Sequence, residues 1–443
     1  MLLRLIAKNF LSFDEEVQFD MFPNKNHQTL PGHIQEVAGI SVLKQALIFG
    51  SNGAGKSNLI EAVKFITRIA IDKDFYRSVI FENKFYKLKY EQTEPMILAI
   101  EFIHENHVFY YEISIDRDLL IKEALYETFP QRASRDLIYK RDNTKVELAK
   151  QPSPEISNAI IDLLSKNPHS SLLSANREFP IVADQRCAIA TKWLATSVFI
   201  IDLNSQIKLI ELFQQHQEIF DFSKRLLSQL DLGISDINLK EYELEAWAKR
   251  QHISLSNKNQ YVTGSNDWLS LVPPMKMPIS SVAIEIDEKE KVQKVHQIVL
   301  SNIGKNGFIG ELDVNMQSDG TLRLLMLIPS LYFASKLGVT VLIDEVNFCL
   351  SSNVLQGIIE YFAKTTGTNG QFICTTHDTL LLKNQSILRP DEVWFVEKNN
   401  GASDLYSLND FKEIPDLSPF EGYTEGRYGA ISFVNLLNNN NDY

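Results

Sequence analysis

The chain passes from an apolar run, QALIF (residues 45–49), through GSNGAGKSN into SNLIEAVKFITRIAI, whose apolar residues recur at helical spacing. A Gly50-x-x-x-x-Gly55-Lys56-Ser57 loop between a buried strand and an amphipathic helix leaves few folds open. The glycines let the loop bend so that successive backbone N–H groups converge on phosphate oxygens, and the helix aims its positive end at the same anion. Lys56 has the reach to meet β- and γ-phosphates, and the Ser57 hydroxyl suits Mg²⁺. Ser51, Asn52, Gly53, Ala54 and Asn58 fill out the loop, so residues 50–58 form the expected phosphate cradle. A Gly-rich turn that binds nothing is the competing reading, and the strand before and helix after weigh against it.

The rest of the chain supplies the sheet that such a loop needs. LLRLIAKNF and EVQFDMF read as short strands ahead of it. MILAIEFI and HVFYYEISI alternate as an antiparallel pair, which LIKEALYETF and DLIYKRD extend. From about residue 153 the texture turns helical, in ISNAIIDLLSKN, AIATKWLATSVFII, SQIKLIELFQQHQEIFDFSKRLLSQL and KEYELEAWAKRQ. Residues 252–279, with NKNQ, GSND and PPMKMP, read as a connector with loops. The last third alternates again: LRLLMLIPSLYFASK, VTVLIDE, NVLQGIIEYFAKTT, QFICTTHD and EVWFVEK. That alternation predicts a mostly parallel sheet. The expected architecture is α/β: a nucleotide-binding head with a mostly parallel sheet and an antiparallel β subdomain, split by a helical insertion. Its three parts are 1–152, 153–279 and 280–443.

Three further stretches carry chemistry. VLIDE ends an apolar strand in Asp344 and Glu345, and a buried strand tipped by two acids needs a partner for the charge. Mg²⁺ supplies one for Asp344, which leaves Glu345 suited to act as general base on an attacking water. His377, in QFICTTHD, lies one β-α-β unit later at the tip of the next strand, on the edge where ligands bind in such sheets. A γ-phosphate sensor is the preferred role, a structural histidine the competing one. MQSDGTLRLLML opens a helix with Ser318, Gly320 and Thr321, a hydroxyl and backbone N–H groups placed for an anion. A chain with its own phosphate loop gains little from a second one, so the turn suggests two copies, head to tail. An ordinary Ser N-cap is the alternative.

Taken in order, FGSNGAGKS, MQSDGTLR, VLIDE and TTHD, with the opening LRLIAKNFLSFDE, resemble the ABC-type P-loop ATPases of the SMC/RecF-like group. The resemblance covers about residues 1–125 and 280–430. It implies ATP and Mg²⁺ as cofactors and Asn52 as a holder of the attacking water. It also implies that Ser318 and Gly320 belong to a signature motif completing the site of the opposing copy. The tail, RPDEVWFVEKNNGASDLYSLNDFK then EGRYGAISF, and LLSQLDLGISDI are similar to compact prokaryotic anti-phage ATPases. Septu PtuA, PARIS AriA and AbiL-type proteins are of that kind. They imply a sensing or assembling ATPase whose killing is done by a separate nuclease or toxin. Where the larger group has a second carboxylate and Leu-His-Pro after the acidic strand, this chain has Asn347 and Leu350-Ser351-Ser352, which implies slow turnover. Gln131 and Gln185 are the two candidates for a Q-loop glutamine.

Composition then limits the partners. With 44 basic and 56 acidic side chains, a net charge of −12 offers nucleic acid no global attraction. Two local clusters remain, Lys84, Lys87 and Lys89 beside Phe85, Tyr86 and Tyr90, and Arg132, Arg135, Lys140 and Arg141. Each is either a solvated face or a place for a phosphate backbone or an acidic partner. Cys187, Cys349 and Cys374 lack metal-ligand spacing and fit a reducing cytoplasm. No apolar run of membrane-spanning length occurs. A RecF-like DNA clamp and an ATP-bound, non-hydrolysing scaffold stand as alternatives to the defence ATPase.

Overall fold

The computed structural model describes residues 1–90, 94–150, 153–178, 182, 184–203, 205–252, 262–263, 268–271, 279–286, 293–365, 367, 369–412 and 417–430. The chain divides into two compact units, Met1–Ile200 with Ala334–Val346 and Gln356–Tyr443, and Ile201–Phe333 with Asn347–Leu355.

The first unit opens with β1 (Leu2–Lys8), β2 (Val17–Asp20), a hairpin of β3 (Ile34–Val37) and β4 (Ile40–Leu43), β5 (Gln45–Phe49) and α1 (Lys56–Ile71). A meander follows: β6 (Met96–His104), β7 (His107–Asp116), β8 (Leu119–Phe129), β9 (Ser134–Asp142) and β10 (Lys145–Leu148). These strands form a seven-stranded antiparallel sheet in the order β10-β9-β8-β7-β6-β1-β2. Next come α2 (Pro154–Lys166), α3 (Leu172–Glu178), α4 (Gln185–Thr196) and β11 (Val198–Ile201).

The second unit carries α5 (Leu209–Gln215), α6 (Gln217–Gln229), β12 (Ile234–Glu243), α7 (Leu244–Arg250), β13 (Val262–Thr263), β14 (Trp268–Leu271), β15 (Val282–Ile286), β16 (Gln293–Ile303) and β17 (Ile309–Asp313). Its sheet runs β12-β16-β15-β14-β13, with β17 also on β16, and among the described residues its strands pair antiparallel. The helix α8 (Asp319–Leu337) leads to β18 (Thr340–Ile343), α9 (Ser352–Lys364), β19 (Gln371–Thr375), β20 (Val393–Asn399), β21 (Ala402–Ser407) and α10 (Pro419–Thr424).

The sheet that positions the phosphate loop has the order β11-β18-β19-β5-β20-β21. Its pairs β18–β19, β19–β5 and β5–β20 are parallel, and β20–β21 closes it antiparallel. Every residue of β5, β18 and β19 is buried. That is why QALIF, TVLI and QFICT read as unbroken rather than alternating apolar strands. On α1, Leu59, Ile60, Val63, Phe65, Ile66, Ile69 and Ala70 are buried, a stripe at helical period. Phe65 meets Phe75 and Phe81 edge-on at 5.5 and 5.3 Å. Gln371, fully buried, ties the two sheets of this unit together. Its amide takes the Leu2 N–H at 2.5 Å and donates to the Leu2 and Leu43 carbonyls at 2.9 and 3.1 Å.

The expected α/β class, mostly parallel sheet and antiparallel β subdomain are all present. The helical reading of residues 153–251 needs correction in three places. SVFII supplies β11 rather than the end of a helix. The long run from Ser205 breaks at His216, whose φ/ψ of −133°/88° separates α5 from α6. KEYELEAWAKRQ is half strand: Lys240–Glu243 continue β12, and a helix begins only at Leu244. Pairing of β12 with β16 along Ile234–Glu243 outweighs the local helical period there. The NKNQ, GSND and PPMKMP loops and the Asn-rich tail lie outside the described residues. Among the described residues, no helix is long and apolar enough to cross a membrane.

Candidate functional site

Strand register assembles the site in the first unit. Ile343 stands beside Cys374, and Thr375 beside Ile48, so the tips of β18, β19 and β5 end together. Asp344, Thr375 and the phosphate loop follow those tips. The loop's last glycine has no alternative. Gly55 has φ +113°, and a Cβ there would stand 2.5 Å from both Ser12 Oγ and Ser403 Oγ. A chain of hydrogen bonds runs under the loop from the Asn58 amide through the Ser12 and Ser403 hydroxyls to the Ala54 carbonyl.

Lys56 points back into this loop and is 5% exposed. Its Nζ donates to the Gly50 and Ser51 carbonyls at 2.9 Å each and to His377 Nδ1 at 3.2 Å. Burial pulls the ammonium down to about 8, against the opposing pull of Glu345 and Asp344. His377 Nδ1 lies 3.2 Å from both the Lys56 ammonium and the Gly50 carbonyl oxygen, and its Nε2 lies 3.5 Å from Glu345 Oε1. Lys56, His377 and Glu345 therefore form one continuous polar line across three strand ends.

Thr375 fixes the acids. Its hydroxyl donates to Asp344 Oδ1 at 2.5 Å and accepts the Glu345 N–H at 2.8 Å. Asp344 is 9% exposed, whereas Glu345 is half-buried. Glu345 has φ +48°, an uncommon backbone for a glutamate and the kind of local cost that functional sites retain. Ser57 and Asn52 are exposed on the loop and the first turn of α1. A serine hydroxyl with a carboxylate oxygen is the hard-donor pair that Mg²⁺ takes alongside phosphate oxygens, so Ser57 and Asp344 fit that ion. Among the described residues, no group of His, Cys, Asp or Glu by itself makes a metal cage.

The Ser318–Gly320–Thr321 turn belongs to the second unit. Ser318 Oγ accepts the Thr321 N–H at 3.2 Å and lies 3.0 Å from Thr321 Oγ1. The N-cap alternative is thus present in the structure, and Ser318 itself remains exposed. A Cβ on Gly320 would stand 2.8 Å from the Cys349 carbonyl oxygen, so the segment after Asn347 passes this turn in close contact.

Other sequence candidates disperse. Gln131 donates to the Ala38 carbonyl at 3.1 Å, and Gln185 opens α4 behind its N-cap Asp184. Arg141, grouped above with a basic cluster, is 1% exposed and holds the Ser170 and Pro168 carbonyls, so it offers no phosphate contact. Lys84 and Lys89 pair with Glu61 and Asp14. Sequence reading missed Ser12, Ser403 and Thr375. Each lies inside a stretch with a family resemblance, LRLIAKNFLSFDE, the run from Arg389 and TTHD, but nothing local marks any of the three as part of a site.

The chain is similar to solved structures of SMC head domains. An SMC head domain from Thermotoga maritima is 12% identical, with 93% of this chain and 99% of that chain covered and a TM-score of 0.41. An Smc head bound to the C-winged helix domain of ScpA is 14% identical, with 96% and 99% covered and a TM-score of 0.45. No curated protein matches significantly. Residues 46–383 match the family described as "AAA domain, putative AbiEii toxin, Type IV TA system", and the chain, from its phosphate loop past His377, belongs to that family of ATPase domains.

Proposed function

We propose that the chain binds ATP with Mg²⁺ and hydrolyses it slowly, as the ATPase subunit of a prokaryotic anti-phage defence system that controls a separate nuclease or toxin. The observation that carries the ATPase part is the Lys56–His377–Glu345 line at the mouth of the phosphate loop. In this reading ATP phosphates replace the Gly50 and Ser51 carbonyls as acceptors for Lys56. Glu345, held by Thr375, takes the proton of the attacking water, which Asn52 helps to position. His377 reads the γ-phosphate through Nε2. Bound Mg²⁺, on Ser57 and Asp344, would supply charge neutralisation at the phosphates.

Two copies work head to tail, each lending the Ser318–Gly320–Thr321 turn to the other's nucleotide. Support for defence comes from the family's description as a toxin–antitoxin domain and from the tail motifs. Phosphate release by purified protein tests the chemistry. Glu345→Gln is expected to keep ATP binding, lose roughly 100-fold or more in release, and accumulate an ATP-bound dimer. Lys56→Ala is expected to lose nucleotide binding. Equal release from wild type and Glu345→Gln would remove Glu345 as the base. For the effector, the product of the adjacent gene should co-purify with the chain in an ATP-dependent way.

A further inference from the structure

At its last turn the phosphate loop does not choose its own orientation. Glycine takes either sign of φ readily, so the peptide joining Ala54 to Gly55 is free, on local grounds, to lie either way up. In the structure Gly55 sits at φ +113° and the Ala54 carbonyl is held beneath the loop. A trans peptide sends its N–H the opposite way from its C=O, so whatever fixes that carbonyl decides where the Gly55 N–H points. Among the described residues the Gly55 N–H meets no backbone acceptor.

Two buried hydroxyls fix the carbonyl. Ser403 Oγ lies 2.5 Å from the Ala54 carbonyl oxygen, Ser12 Oγ 2.7 Å from Ser403 Oγ, and Asn58 Nδ2 2.6 Å from Ser12 Oγ. A carbonyl only accepts, and a hydroxyl carries one hydrogen. Ser403 therefore gives its hydrogen to Ala54, Ser12 donates to Ser403, and Asn58 donates to Ser12. Each hydroxyl gives once and receives once, the order in which successive bonds polarise one another. Ser403 and Ser12 are 2% and 8% exposed, which leaves little room for water to stand in. The base of the relay is stiff. Ser12 lies in a turn closed by two bonds between Phe10 and Phe13 at 2.8 Å, and its carbonyl takes the Ser403 N–H at 2.7 Å.

We propose that Ser403 and Ser12 are positioning residues for phosphate binding: by holding the Ala54 carbonyl under the loop, they present the Gly55 N–H to the phosphates of the nucleotide. The inference rests on the nucleotide-binding reading above and deepens it with residues from the β1–β2 turn and from β21. Neither side chain acts on the nucleotide directly. Without Ser403 the 54–55 peptide loses its hold, and a carbonyl turned outward repels the anion that the N–H attracts.

Calorimetry and amide spectra of the full chain with MgADP test it. Ser403→Ala is expected to weaken MgADP binding roughly tenfold. Ser12→Ala leaves the Ser403 hydrogen on Ala54 and should weaken it only about threefold. The chain has two Ala-Gly pairs, Ala38–Gly39 and Ala54–Gly55, so alanine labelled with ¹³C at its carbonyl and glycine labelled with ¹⁵N isolate two amide signals. In the wild-type chain MgADP should move the Gly55 amide downfield and leave Gly39 in place. In Ser403→Ala saturated with MgADP, the Gly55 signal should split or fall short of that position with Gly39 unchanged, which a general loss of stability does not produce. Wild-type affinity in Ser403→Ala, or a Gly55 amide that reaches the wild-type position, overturns the relay and leaves the nucleotide reading standing. Should Ser403→Ala disturb Gly39 as well, Ser12→Ala decides: wild-type affinity with an unaltered Gly55 signal overturns the relay. Absence of MgADP binding by the wild-type chain overturns both.

Discussion

Lys56 spends all three of its ammonium hydrogens inside its own site, on Gly50, Ser51 and His377. An arriving phosphate must win those hydrogens from two carbonyls and an imidazole, and it does so by bringing charge. The ammonium titrates at about 8 because it is buried, and a phosphate beside it restores the charged form. Nucleotide binding should therefore take up a proton wherever free Lys56 is neutral. ATP affinity is expected to be flat below about pH 7 and to weaken as pH climbs through 8. Titration calorimetry at pH 8.5 in buffers of different ionisation enthalpy should register that uptake, and at pH 6.5 almost none. Buffer-independent heats at pH 8.5 would contradict it. The stability sign follows from the same depression. Below about pH 8 the buried charge costs its full penalty, and the cost is relieved as pH rises toward the ordinary 10.5. At this scale the meeting of Lys56, Asp344, Glu345 and His377 was legible because each sits in a contiguous motif next to a strand end. Ser12 and Ser403 were not, since they are 391 residues apart and only the folded sheet makes them neighbours.

Strand ends, rather than loops, set the geometry of the site. The registers of β18, β19 and β5 fix where Asp344, Thr375 and Gly50 emerge, and fully apolar strands made that part of the fold readable. The helical insertion was less readable because β12 exists only by pairing with β16, more than fifty residues away in sequence, while its own residues carry a helical period. The phosphate loop shows the reverse: its conformation is written locally in glycine and then tightened by distant hydroxyls. Gly55→Ala should accordingly fail twice. Its backbone, at φ +113°, is closed to alanine, and its new methyl would meet Ser12 and Ser403 at 2.5 Å. Trimming Ser403 to alanine in the same chain relieves part of the second problem and none of the first. We expect Gly55→Ala and Gly55→Ala/Ser403→Ala both to lose measurable ATP binding in equilibrium dialysis. Recovery in the double variant would show the side-chain clash, not the backbone, to be decisive.

At the scale of the whole molecule, the question is whether one copy can finish its own reaction. The phosphate loop and the acids lie in one unit and the Ser318 turn in the other, so the halves can be disabled separately. Lys56→Ala should silence a copy's own loop while leaving its turn intact for a neighbour. Ser318→Arg should do the opposite, because an arginine at this exposed cap brings bulk to the surface proposed to meet the neighbour's nucleotide, while α8 loses only the two contacts of the Ser318 hydroxyl with Thr321. Alone, neither variant can assemble a complete site. Mixed in equal amounts, half of the dimers combine the two variants, and each of those has one complete site of two. Phosphate release should then recover to about a quarter of the wild-type rate, if copies exchange freely and sites act independently. A turn working within its own chain predicts no recovery at any mixing ratio. The mixing curve itself carries the distinction: a maximum at equal amounts follows from paired copies, and a flat line at zero from solitary ones.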